Sequence, residues 1–389
     1  MALAAHRMTV RTISADQHRE WIATRPSVSF LQLAEWGAVK TGWRHESLGW
    51  FDGSRLVGAG LVLYRPVPRV PQRCLAYLPE GPDIDWLRER LPDVSIEDWL
   101  RPLIAHCRAK GAFQVKMGPP VPARRWSADT IKQAIAEWTD GAEDPPQRIS
   151  SVLADWHSTP AALLIDRLQG MGWKQRASDG AGFGDVQPRY VFQLELRHRT
   201  LDEILAGFNQ LWRRNIRKAE KAGVVVTRGG RADLADFHRI YVETATRDHF
   251  TPRAQVYFER MWDALNGVDA DRLRLYLAYV DGHLAAATLM VVVGDHAWYS
   301  YGASTTADRE ARPSNALQWR MISDAHASGC AIYDLRGIAD TLNPADHLFG
   351  LVQFKVGTGG TAVELLGEWD LVLRPAWAKA YDIVQARRG

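Results

Sequence analysis

The chain of 389 residues exceeds the usual span of one hydrophobic core, so two domains of ordinary size are expected. Apolar residues make up 46% and charged residues 24%, the balance of a soluble globular protein, and no apolar run reaches the length that crosses a bilayer. A net charge of +3 is too small to declare a nucleic-acid partner by itself, and three scattered cysteines, Cys74, Cys107 and Cys330, argue against a disulfide framework and against a zinc site.

Met1–Val10 contains one arginine and no long apolar core, so no signal peptide is read there and the protein is expected in the cytoplasm. Residues 8–14 can form a first strand, and Ala15–Thr24 a short helix entered through Ser14. The spacing predicts a helix over Leu31–Lys40, then a hairpin of Glu46–Phe51 and Leu56–Tyr64 about the Asp52-Gly53 turn. A helix feeding a hairpin resembles the opening of an acetyltransferase-like (GNAT-like) domain. A strand at Cys74–Leu78, a helix at Ser95–Lys110, a strand at Phe113–Met117 and a helix at Ile131–Trp138 follow. The domain boundary is placed just before Thr159-Pro160, where a new helix opens. Arg167–Gly172 spells RxxGxG, but the string closes that helix instead of opening one, so its glycines read as a C-cap and not as a phosphate loop.

In the second half, Arg189–Leu196 reads as a strand after Val186-Gln187-Pro188, and Leu201–Ala222 as one helix. One side of that helix is apolar; the other bears Arg213, Arg214, Arg217, Lys218 and Lys221, five positive charges within nine residues. A helix expected from Thr251-Pro252 puts Arg253 and Tyr257 four apart on one face. Three strands, Leu273–Val280, Leu284–Val293 and His296–Tyr301, form a meander in which Tyr299 and Tyr301 share a face. A long helix from Ser314 to Gly329 leads to a strand at Cys330–Leu335, a polar loop, and a helix over Asp346–Val356 that ends at Gly357, Gly359 and Gly360. Lys355 lies in its last turn, where a cation complements the negative end of the helix dipole. A strand at Ala362–Gly367 and a tail with a final helix, Pro375–Ala386, close the chain.

Several phrases together, YDLRGI, GLVQFKVGTGG and ELLGEWDLVLRP near the C-terminus, R.NI.KAEK.G in the basic helix and Q..W..VK...GW near the start, resemble the Fem (FemABX) family of peptidoglycan-bridge aminoacyltransferases, in its compact form without a coiled-coil insertion. The resemblance implies an α/β (α+β) fold of two acetyltransferase-like domains, residues 1–157 and 158–365, with residues 366–389 returning to pack on the first. It implies transfer of an amino acid from aminoacyl-tRNA to an amino group on the stem peptide of a peptidoglycan precursor. Lys355 would stabilise the tetrahedral intermediate with Phe354 beside the reacting ester. Lys40 and Arg253 would hold phosphate, Tyr257 the precursor, and Tyr299 or Tyr301 would point into the peptide channel. Arg213, Arg214, Arg217, Lys218 and Lys221 would meet a tRNA acceptor stem by shape and phosphate. No metal and no cofactor is implied, and contact with the inner membrane face follows if the acceptor is lipid-linked.

No HExxH pair, Gly-x-Ser-x-Gly elbow or Walker loop is present, which leaves metalloprotease, serine-hydrolase and nucleotide-hydrolysis readings unsupported. Two alternatives to the tRNA-dependent reading remain. One is an N-acyltransferase of the same fold with an acyl-coenzyme A donor; the other is a non-catalytic binding protein of the envelope machinery.

Overall fold

The computed structural model describes residues 8–176 and 187–386; the expectations placed on Met1–Arg7, Val186 and Arg387–Gly389 lie outside them. Strands β1 (Thr9–Ile13), β2 (Arg44–Asp52), β3 (Arg55–Val67), β4 (Val70–Leu78) and β5 (Ala112–Met117) form the first sheet in that spatial order. Helices α1 (Ala15–Ala23), α2 (Trp36–Val39) and α3 (Ile96–Ala109) lie between them in sequence. The chain then crosses to a second sheet with β6 (Pro122–Ser127), α4 (Ala128–Thr139) and β7 (Trp156–His157), and returns with α5 (Thr159–Gly170) and β8 (Lys174–Gln175). The second sheet is built mainly by β9 (Tyr190–Glu195), α6 (Leu201–Gly207), α7 (Gln210–Lys221), β10 (Val225–Gly229), α8 (Leu234–Arg247), α9 (Gln255–Asn266) and β11 (Leu273–Val280). It is completed by β12 (His283–Val293), β13 (His296–Ser304), α10 (Pro313–Ala327), β14 (Ile332–Gly337), α11 (Phe349–Val356) and β15 (Thr361–Leu365). Its order is β10-β11-β12-β13-β14-β9-β15-β6-β7. Last, β16 (Trp369–Val372) inserts between β5 and β8 of the first sheet, and α12 (Pro375–Ala386) packs beside β5, with Phe113 and Tyr381 rings 5.1 Å apart.

The mixed α/β architecture of two acetyltransferase-like units is thus present. Each sheet is antiparallel except for one parallel pair joined through a helix: β4 with β5 across α3, and β13 with β14 across α10. The boundary read before Thr159 needs correction, because besides the return after β15 the chain also passes between the sheets after β5, β7 and β8. Residues 122–157 pair in the second sheet, while Ala161, Leu164 and Leu168 of α5 are buried in the core of the first. The segment PARRWS gives no strand signal because its partner, β15, lies far along the chain and supplies the pairing.

One apolar core joins the sheets. It unites Leu61, Leu63 and Tyr77 of the first with Leu275, Leu289 and Val291 of the second, and Phe30, Leu31, Leu33, Trp36 and Val39 fill the space between. That wedge explains why Leu31–Lys40 is not the expected helix. Its apolar residues are buried on all sides, and the segment folds as a 3-10 turn, Phe30–Gln32, an extended Leu33 and the short α2. Buried Gln32 sutures it to the first sheet, donating to Pro79 O (2.7 Å) and accepting from Leu61 N (2.9 Å).

Candidate active site

A groove of about 460 Å³ opens beside this wedge and is lined from both sheets. Lys40, the residue that ends α2, faces it with Arg253 and Tyr257 from the lead-in and first turn of α9, and Tyr301 from β13. The expected single helical face for Arg253 and Tyr257 is corrected, because α9 begins only at Gln255, after an extended Ala254, and Arg253 lies before the helix. The two meet nonetheless. The Arg253 guanidinium lies 4.8 Å from the centre of the Tyr257 ring, and the Tyr257 and Tyr301 hydroxyls are 3.1 Å apart.

Tyr299 does not join them. A bulge in β13 carries the pairing from Tyr299 to Tyr301 without Ser300, so the two tyrosines fall on opposite faces of the sheet. Tyr301 packs against the core that joins the sheets, whereas Tyr299 lies against the other core, where burial pushes its hydroxyl up to about 12. The shared face read from the spacing holds only for an unbulged strand.

The groove also gathers residues that spacing did not single out: Arg65, Lys116 and Arg336. Lys116 is held by Asp370 of β16 at 2.8 Å, and Arg336 by Glu80 at 2.8 Å. No carboxylate partner is found for Lys40, Arg65 or Arg253 among the described residues. Burial, and next the charge of Arg253, lower the Lys40 ammonium to about 8. Three cations without counter-charge on one concave wall make an anion site.

Lys355 lies behind this groove. Its α11 is docked at its C-terminus on the α6–α7 junction: Trp212 Nε1 donates to Phe354 O (2.7 Å) and Asn209 N to Gly357 O (2.8 Å). Gly359, at φ +73°, sits so close that a Cβ would meet Gly207 O at 2.3 Å. This junction exists because the single helix expected over Leu201–Ala222 breaks at an extended Phe208, after which Asn209 caps α7 through Trp212 N. The Lys355 side chain therefore turns away from its own helix end. Its Nζ donates to Leu335 O (2.8 Å) and to Gly337 O, in a bulge of β14 where Leu335 and Arg336 drop out of the pairing and Arg336 takes φ +60°. Gly337 and Arg336 line the groove on their other side. Lys355 is buried, and that burial lowers its ammonium to about 7, against the pull of Asp334 and with the push of Arg336.

Phe354 faces elsewhere. Its ring lies 4.6 Å from that of Trp212 and lines a separate cavity of about 350 Å³ with Asn215 and Lys132. On α7, Arg214, Arg217 and Lys221 are exposed with no carboxylate partner among the described residues, while Arg213 donates to Ala206 O and Lys218 pairs with Glu310. Among the described residues no three His, Cys, Asp or Glu gather as metal ligands, and no helix is long and apolar enough to cross a membrane.

The family model described as FemAB family matches residues 13–284 and 281–386. The chain is similar to a lipid II:glycine glycyltransferase of Staphylococcus epidermidis, 22% identical over 432 residues, with 94% of this chain and 93% of that one covered. It is similar to the lipid II:glycine glycyltransferase of Staphylococcus aureus, 22% identical over 444 residues, covering 96% and 95%. Among solved structures, the crystal structure of FemX superposes with a TM-score of 0.76 at 20% identity, over 95% of this chain and 99% of that one.

Proposed function

The chain belongs to the FemAB family, and from that premise we propose that it transfers an amino acid from aminoacyl-tRNA to an amino group on the stem peptide of a peptidoglycan precursor. One observation carries the reading: an anion groove whose floor, Arg336-Gly337, is the same backbone that a buried lysine holds from behind. In this reading Lys40, Arg65 and Arg253 take the precursor's diphosphate, and Tyr257 and Tyr301 line the path of its sugar and peptide. Lys355 supplies positive charge where the ester carbonyl becomes an oxyanion. Phe354, tilted against the Trp212 ring, holds α11 in place and is a positioning residue. Arg214, Arg217 and Lys221, with Lys218 and Arg213 beside them, meet the acceptor stem of the RNA. An ester is already activated and an amine is a good nucleophile, so alignment and charge are most of what the protein must add.

The test is product mass after incubation of the protein with aminoacyl-tRNA and either the lipid-linked or the soluble precursor. Gain of one amino-acid residue, abolished by ribonuclease, is the expected result. Saturable transfer from acetyl-coenzyme A, insensitive to ribonuclease, would favour the other donor, and no acyl product with either would point to a binding protein.

The anion site gives a pH prediction. Burial penalises the charged form of Lys40, and bound phosphate restores it, so binding takes up a proton when the pH lies above about 8. Precursor affinity is therefore expected to fall as pH rises through about 8, by up to about tenfold over the next unit. Calorimetric titration with the precursor between pH 6.5 and 9.5 measures it, and a flat profile above pH 8 counts against Lys40 as a phosphate ligand.

A further inference from the structure

One lip of the groove is apolar where it meets solvent. Beyond the end of α8, His249 takes a left-handed backbone at φ +56°, which lets Phe250 N reach back to Ala245 O (3.1 Å) and turns the chain sharply. The residue after such a turn ordinarily packs back on its helix. Phe250 does so on one side only, its ring 5.5 Å from that of Tyr241, and stays 40% exposed. From there Thr251, Pro252, Arg253 and Ala254 run exposed to α9, whose first turn presents Val256, 42% exposed.

The stretch Phe250–Val256 thus holds one cation, no carboxylate and an exposed apolar side chain at each end. Hydrogen bonds fix it: Arg253 O accepts from His238 Nε2 (3.0 Å) and Ala254 O from Tyr257 N (2.9 Å). The carboxylates beside it are committed, Asp248 to Arg247 (2.8 Å) and Glu259 to Gln255 (2.8 Å). Arg260 Nη1 donates to Thr41 Oγ1 (3.1 Å), which ties α9 to the exposed Thr41-Gly42 turn and so to half-buried Trp43, whose ring lies 5.5 Å from the Arg65 guanidinium. The mouth therefore sets Lys40, Arg65 and Arg253 among aromatic and apolar side chains. Cations with such neighbours suit the headgroup layer of an anionic membrane.

We propose that Phe250 and Val256 form a membrane-entering lip: they lie in the apolar margin of an anionic bilayer while Arg253, between them in the chain, takes the diphosphate of a precursor whose lipid is anchored there. The inference rests on the reading of the groove as a diphosphate site. The chemistry of the two possible acceptors supplies the match. In a polyprenyl-linked precursor the first isoprene is joined to the outer phosphate through one oxygen, so a guanidinium on that phosphate has hydrocarbon as its next neighbour. In the soluble, nucleotide-linked precursor a ribose and a base take that place, and they gain nothing from an apolar layer. The lip therefore selects the lipid-linked acceptor and lays the mouth of the groove on the leaflet, where anionic headgroups attract its cations.

Two measurements on the full chain test it. The first is flotation with vesicles of phosphatidylglycerol and phosphatidylcholine that carry a polyprenyl diphosphate. The native protein is expected to bind them. The double variant Phe250→Asp/Val256→Asp is expected to lose about tenfold or more in partition, while its calorimetric affinity for the soluble precursor stays within about twofold of native. A native protein that leaves the vesicles unbound, a double variant that binds them as well, or an equal loss of both affinities overturns the proposal. The second places an environment-sensitive dye on Phe250→Cys; Cys74, Cys107 and Cys330 are buried, which shields them from the reagent. The dye is expected to shift to the blue on the vesicles and to be quenched from within the lipid. The same dye on Leu153→Cys, at an exposed position outside the groove lining, is expected to keep its spectrum. An equal shift at both positions, or none from Phe250→Cys, overturns it. Transfer to the soluble precursor by a protein that ignores vesicles would sink the lip and leave the transfer reading; vesicle binding through Phe250 without any transfer would do the reverse.

Discussion

Lys355→Met is expected to lower the rate of transfer at saturating substrates by about a thousandfold or more, while leaving precursor affinity within about twofold. Methionine keeps the unbranched shape of the buried stem but brings no charge to the reacting centre. Removing one neutral oxyanion donor costs about a hundred- to a thousandfold, and a full positive charge contributes more than one neutral donor. The substitution also leaves Leu335 O and Gly337 O without their donor, at a cost of about 1–3 kcal/mol each if water does not replace it. Thermal denaturation must accordingly be read beside single-turnover transfer. A folded Lys355→Met protein that transfers at more than a tenth of the native rate would remove Lys355 from the chemistry.

The second large effect is structural. Arg336 of β14 and Glu80, in the turn that follows β4 of the other sheet, are both in the left-handed region at φ +60° and +46°, and their side chains are largely buried. Ser29 Oγ donates to Glu80 Oε2 at 2.5 Å and Arg336 Nη2 to Gln187 Oε1 at 3.1 Å, so the pair ties the wedge, both sheets and the groove floor. Arg336→Met leaves Glu80 without its cation and is expected to cost about 3–5 kcal/mol of stability. Adding Glu80→Gln should recover part of that loss, because the unpaired charge and not the missing contact carries most of the penalty. Urea denaturation of the two variants measures both terms. A loss below about 1 kcal/mol for Arg336→Met, or no recovery in the double variant, would mean the pair is not what fixes the floor.

Local patterns were enough for most of the elements, because α3, α8 and α10 bury one stripe or more against a sheet and the strands β2, β3, β11 and β12 carry apolar runs between turn residues. Lys40, Arg253, Tyr257 and Tyr301, which the groove brings together, and Lys355, which lies behind its floor, were singled out by the family resemblance, because a last-turn lysine or an exposed arginine looks ordinary in its local pattern. What escaped depends on long-range pairing. The bulge that separates Tyr299 from Tyr301 is a property of the β12–β13 register, and the bulge that turns two carbonyls toward Lys355 is a property of β14 against β9. Arg336 lay inside a recognised phrase, yet nothing local marks Glu80 as its partner. β7 and β8 escaped as sheet partners because they span only two residues each, and β6 because its pairing comes from β15, far along the chain.

The insertion of β16 between β5 and β8 has a consequence for biosynthesis. Translation delivers the N-terminal strands first, but the hydrogen-bonding edge of β5 stays open until Trp369–Val372 has left the ribosome. The nascent polypeptide must therefore carry a half-finished first sheet while the strands of the second are made, until β16 supplies the missing partner.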